Sequence, residues 1–93
     1  MLARTQTMPQ RETDVGLGLP WVVILFNDDY HAFDAVIAQV QKATGCSQNE
    51  AFQITYAAHT QGQAVAYVGE RAECEQVASI LREIDLRAEI EEA

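Results

Sequence analysis

The residues of this chain with chemistry to offer gather in one short stretch. LFNDDYHAF, Leu25 to Phe33, ends an apolar, strand-like run in Asn27-Asp28-Asp29 and opens a helical pattern a few residues later. An amide and two adjacent carboxylates at such a junction suit two tasks. They accept the orphan N–H groups of a helix start and complement its dipole, or they hold a cation, either a metal ion or a protonated amine. His31 lies in the same stretch, and His59 is the other histidine of the chain. As metal ligands, Asp28, Asp29, His31 and His59 lack the paired spacing that marks a zinc site, so no metal and no cofactor is expected. An enzyme is not expected either, because no nucleophile, cofactor loop or domain cleft is evident.

Composition narrows the partners. With 93 residues the chain should form one domain, and 48% hydrophobic residues support a small core. Fourteen acidic against 6 basic residues give a net charge of -8. That argues against nucleic acid, which needs a basic footprint, and against an anionic membrane surface. It favours a basic partner or a cationic group on a ligand. No apolar run approaches the roughly 20 residues of a membrane span. The opening MLARTQTMPQRETDVG lacks the apolar core of a secretory signal, so a cytoplasmic location is expected. Cys46 and Cys74 are far apart and show no CxxC spacing. Two free thiols are expected in a reducing compartment, although the spacing leaves a bridge between them open.

Residues 1–19 are mixed polar, without periodicity, and read as a flexible tail, with the core domain over residues 20–93. In the core, WVVILF, Trp21 to Phe26, is a six-residue apolar run that reads as a buried strand. Phe33, Val36, Ile37, Val40 and Ala43 recur at helical spacing, and Gly45 stands where a left-handed C-terminal cap belongs. Ser47 with Glu50 three residues later is a capping box that opens a second helix. Its buried face should include Ala51, Phe52, Ile54, Thr55 and Ala58, and Gly62 should end it. AVAYVG, Ala64 to Gly69, reads as a second strand, and Glu70 to Ile84 as a third helix. Leu86 to Ile90 alternates like a half-exposed third strand. The order β-α-α-β-α-β predicts an α+β fold, a two-layer sandwich in which a three-stranded antiparallel sheet packs against the helices. A short turn at Gly45 makes the first two helices antiparallel neighbours, and so should bring His59 close to Asn27 and Asp29.

At this point the residues resemble a known family. VVILFNDDYHAFDAVIAQVQKATG is similar to the opening of the ClpS adaptor core, with its NDDYTPM motif and first helix. EAFQITYAAHTQGQAVAYVG is similar to the second helix and strand, and the H-x-x-G ending is kept as His59 to Gly62. The likeness covers about residues 21–91. ClpS proteins are bacterial N-end rule adaptors that bind a bulky hydrophobic first residue and pass the substrate to the N-terminal domain of a Clp AAA+ unfoldase, of the ClpA or ClpC type. The resemblance implies that Asn27 and Asp29 accept hydrogen bonds from the substrate α-ammonium, a group with a reference pKa of about 7.7–8.0. It implies that neutral His59 completes that shell, with Asp28 as a further member or as a cap. The pocket for the first side chain would be lined by His31, Phe33, Val36, Thr55, Ala58 and Leu86. Tyr30, Arg71 and Gln76 would touch the unfoldase, the tail would serve delivery, and a monomer is expected.

The departures from the family pattern bear on specificity. The usual Y-T-P-M reads Tyr30-His31-Ala32-Phe33 here. A pocket Met becomes Thr55 and a pocket Val becomes Ala58, so the preferred first residue should shift. On the docking side, TAEVAETKV reads ERAECEQV, Glu70 to Val77, with Gln76 in place of a basic residue. Three rival readings remain at this stage. They are a ClpS-like modulator of the unfoldase without N-degron binding, another interaction module of the same topology such as the C-terminal domain of the ribosomal stalk protein, and a small metal-dependent enzyme.

Overall fold

A computed structural model describes residues 20–93, so the expected tail over residues 1–19 lies outside the described residues. The elements run β1 (Trp21–Phe26), α1 (Phe33–Thr44), α2 (Gln48–Gln61), β2 (Gln63–Gly69), α3 (Arg71–Arg82) and β3 (Ala88–Glu92). The sheet has the order β2-β1-β3, with both pairings antiparallel. This is the α+β sandwich predicted from the pattern. The strand with the continuous apolar run is the central one.

β1 explains its own position. Val23 and Leu25 point into the core cluster shared with the helices, while Ile24 is buried outside that cluster. A strand with burial on both faces needs apolar residues at consecutive positions. β2 is less regular. Val23 pairs with Tyr67 but Ile24 pairs with Val65, so Ala66 is an extra residue. This bulge turns both Ala66 and Tyr67 towards the core and leaves Val65 and Val68 exposed.

The helices start and stop as their caps dictate. Gly45 has φ 76° and donates its N–H to the Gln41 carbonyl, closing α1. The Ser47 hydroxyl accepts from the Glu50 N–H, and the Glu50 carboxylate accepts from the Ser47 N–H in return, opening α2. Gly62, at φ 91°, ends it. The two helices pack against each other, and Phe33 at the start of α1 stands beside His59 at the end of α2, ring centroids 6.0 Å apart.

Several details differ from expectation. α3 ends at Arg82 rather than Ile84, because a turn with Asp85 in the left-handed region (φ 64°) follows. β3 begins at Ala88 opposite Leu25 and runs to Glu92, two residues later than the apolar alternation indicates. Its last residues pair with the backbone of Trp21 and Val22 and need no apolar side chain to do so. Phe52, expected on the buried face of α2, is 39% exposed. Among the described residues no helix is long and apolar enough to cross a membrane. Cys46 and Cys74 are both free thiols, and burial pushes the Cys74 thiol up, with Glu73 adding to it against a weak contact to the Gly69 carbonyl.

Candidate functional site

The end of β1, the turn into α1 and the last turns of α2 enclose a cleft. Leu25, Phe26 and Asn27 line it from the strand, and Asp28 and His31 from the turn. Phe33 and Val36 come from α1, and Thr55, Ala58 and His59 from α2. One backbone bond holds the junction together: the Asn27 N–H donates to the Gly62 carbonyl at 2.9 Å. The residue that ends α2 therefore also fixes where the strand leaves the sheet, and this brings His59 and Asn27 to one site. The empty space is no more than about 290 Å³. Pockets for drug-sized ligands start at about that size, so this cleft suits one large side chain.

The turn is built by Asp28. One of its carboxylate oxygens accepts from the Tyr30 N–H at 3.2 Å, the His31 N–H at 2.6 Å and the His31 ring Nδ1 at 2.7 Å. Asp28 does not cap α1, contrary to the capping expectation. The N-cap of α1 is Ala32, with no side-chain bond, and Asp28 serves the turn ahead of it. Desolvation raises the Asp28 carboxyl. The hydrogen bonds and charge of His31 and the Tyr30 N–H outweigh it and hold the group below its ordinary value. An ionised carboxylate only accepts, so His31 Nδ1 carries a proton and Nε2 is left as the acceptor when the ring is neutral.

Asn27 and Asp29 form a second unit. Asn27 Nδ2 donates to Asp29 Oδ1 at 3.1 Å, which orients the amide and leaves Asn27 Oδ1 free to accept. Asp29 is exposed beside the cleft and does not line it. His59 is exposed and stands edge-on to Phe33 at 89°. The rim thus carries an amide oxygen, a carboxylate and an imidazole, all able to accept hydrogen bonds.

The walls are apolar. Val36 and Ala58 are buried, and Thr55, 4% exposed, donates its hydroxyl to the Ala51 carbonyl at 2.8 Å. Its polarity is therefore absorbed by the helix. Leu86, expected on the wall, is 2% exposed in the core and does not line the cleft. It precedes β3, which begins at Ala88. Leu25 and Phe26 line the cleft although the sequence reading omits them. Their place directly before Asn27 was the available signal. Of the expected docking residues, Tyr30 is 95% exposed on the turn. Arg71 and Gln76 are exposed on α3, where the Arg71 guanidinium lies 5.1 Å from the Trp21 ring centre and bonds Glu75. Among the described residues no group of three or more His, Cys, Asp or Glu is placed to hold a metal ion.

Comparison with known proteins gives this geometry a family. The E3 ubiquitin-protein ligase UBR2 of Homo sapiens is 34% identical over 58 residues, which is 62% of this chain and 3% of UBR2. The chain therefore spans a small fraction of that relative. The structure of Agrobacterium tumefaciens ClpS2 bound to L-phenylalaninamide matches with a TM-score of 0.76 at 24% identity, covering 82% of this chain and 99% of ClpS2. At that identity the likeness speaks for the fold. Residues 19–89 match the family model described as ATP-dependent Clp protease adaptor protein ClpS, a family of adaptors rather than enzymes. The chain belongs to the ClpS family.

Proposed function

We propose that the cleft binds the first residue of a substrate protein, a bulky hydrophobic N-degron, and that the chain hands this substrate to the N-terminal domain of a Clp AAA+ unfoldase. The observation that carries the reading is the pairing of three acceptors, Asn27, Asp29 and His59, with an apolar cleft sized for one side chain. A free α-ammonium has three donors and a positive charge. Charge-assisted hydrogen bonds to it are roughly twice as strong as neutral ones, and the net charge of -8 favours its approach. Burial of a Leu or Phe side chain adds about 1.5–3 kcal/mol. The amine contact reads the chain end and the cleft reads the residue. An internal Leu offers only the second. The ligand in the ClpS2 structure, L-phenylalaninamide, combines an α-amine with an aromatic side chain, in keeping with this reading. The unfoldase contact would fall on Tyr30 and on the exposed Arg71 and Gln76 of α3. The test is a panel of peptides differing only at residue one, measured by fluorescence anisotropy. Large apolar first residues should bind and Gly, Ser or Asp should not.

A further inference from the structure

Phe52 and Tyr56 expose aromatic surface, 39% and 51% of each residue, that the cleft does not use. They lie four residues apart on one face of α2 and stack at 5.9 Å with an interplanar angle of 15°. Exposed aromatic patches of this kind mark interaction sites more often than isolated apolar residues do. This one is joined to the cleft. Phe33 lines the cleft and stands edge-on to Phe52 at 5.9 Å and 65°, as it does to His59. An aromatic surface therefore runs unbroken from the rim, across the cleft wall, onto a ledge on α2.

We propose that this ledge receives the third side chain of the bound substrate, and that it takes an aromatic or large aliphatic residue. The proposal rests on the reading of the cleft as the site of the first residue. With that side chain against Phe33, the chain must leave the acceptor-lined rim. Its carbonyl oxygens are repelled by the carboxylates of Asp28 and Asp29, which stand at the β1 end. α2 offers the opposite direction. Tyr56 and Phe52 lie six and ten residues before Gly62, about 9 and 15 Å along the helix axis from the junction. An extended chain turns every second side chain to the same face, about 6.6–6.8 Å apart. The third residue, not the second, faces the protein again, on the side of Phe33 that meets Phe52.

The experiment uses the full chain and peptides beginning with Leu, with Phe, Leu, Arg or Ser at position two or three, each free and N-acetylated. Phe or Leu at position three should bind about fivefold tighter than Ser. The double variant Phe52→Gln, Tyr56→Gln, in which Gln keeps helix propensity, should lose that gain while still preferring free over acetylated peptide. Circular dichroism and the retained preference for free peptide verify its fold, and the single variant Tyr56→Gln should show an intermediate loss. A gain at position two instead of three, an equal gain from Arg, or a gain unchanged in both variants would overturn the proposal. Failure of the free-over-acetylated preference in the unmodified chain would overturn the cleft reading and the ledge with it. Persistence of that preference with no effect at position three would overturn the ledge alone.

Discussion

A single carboxylate oxygen of Asp28 meets both the backbone N–H and the ring Nδ1 of His31, at 2.6 and 2.7 Å. One bond shapes the turn and the other sets the imidazole that walls the cleft, so the conformation of the junction and the polarity of the site depend on the same atom. Asp29, one residue on, bonds Asn27 and is exposed. The adjacent carboxylates are thus divided between the turn and the exposed rim of the cleft.

The structural share should appear in stability. Asp28→Ala should lose about 1–2 kcal/mol in urea denaturation at pH 7, the size expected for hydrogen bonds to a charged group that is partly accessible. The Asp28 carboxyl lies below its ordinary value of 3.8 when folded, so its contribution is complete above that value and is lost as pH falls through the folded one. The gap between wild type and Asp28→Ala should therefore narrow at low pH. A gap that stays constant to pH 2 would remove Asp28 from this role.

The proposed function assigns binding to Asp29. Asp29→Ala should weaken a Leu- or Phe-initiated peptide at least tenfold, about 1.4 kcal/mol, with an unchanged urea midpoint. Asp28→Ala should affect affinity less than Asp29→Ala does. The reverse ranking, with both variants folded, would exchange the two assignments.

Gly62 links the backbone to the site. Its φ of 91° lies in the left-handed region, and a Cβ there would meet nothing within 4 Å. Gly62→Ala should cost about 1–2 kcal/mol from backbone strain alone. Because the Gly62 carbonyl receives the Asn27 N–H, the variant should also weaken peptide binding. Unchanged stability would show that the turn relaxes freely.

First-residue preference should follow the walls. Phe33 is a stiff ring where the family pattern has the adaptable Met, and Thr55 and Ala58 are smaller than the residues usual there. Leu-initiated peptides should bind better than Trp-initiated ones, since an indole needs the most width at the mouth. Phe33→Met should bring the affinities for Leu, Phe, Tyr and Trp closer together. A ratio untouched by the substitution would mean that Phe33 does not contact the first side chain.

Much of this arrangement is legible in the chain itself, for physical reasons. A central strand must be apolar at consecutive positions, as Val22 to Leu25 are, and the Ser47–Glu50 box and two positive-φ glycines leave no freedom in where α2 begins and ends. Those constraints alone carry His59 to the start of α1. Local side-chain-to-backbone geometry is less legible. Nothing in the composition of Asn27-Asp28-Asp29 distinguishes the carboxylate that closes the turn from the one left exposed. Edge strands are similarly silent, since Glu91 and Glu92 extend β3 through backbone bonds to the central strand. Buried Gln39 is another omission. It donates to the Ile80 carbonyl at 2.6 Å across the α1–α3 contact, a partner 41 residues away that no local pattern reveals.

The central claim is that Asn27, Asp29 and His59 read a free α-ammonium while the cleft reads the side chain beside it. The most direct measurement compares one Phe-initiated peptide, free and N-acetylated, by fluorescence anisotropy at pH 7. Acetylation removes the charge and two donors and should weaken binding at least tenfold, about 1.4 kcal/mol. The free peptide should also lose affinity as pH rises past its α-amino pKa of about 7.7–8.0. Equal affinity for the free and acetylated peptides would contradict the account.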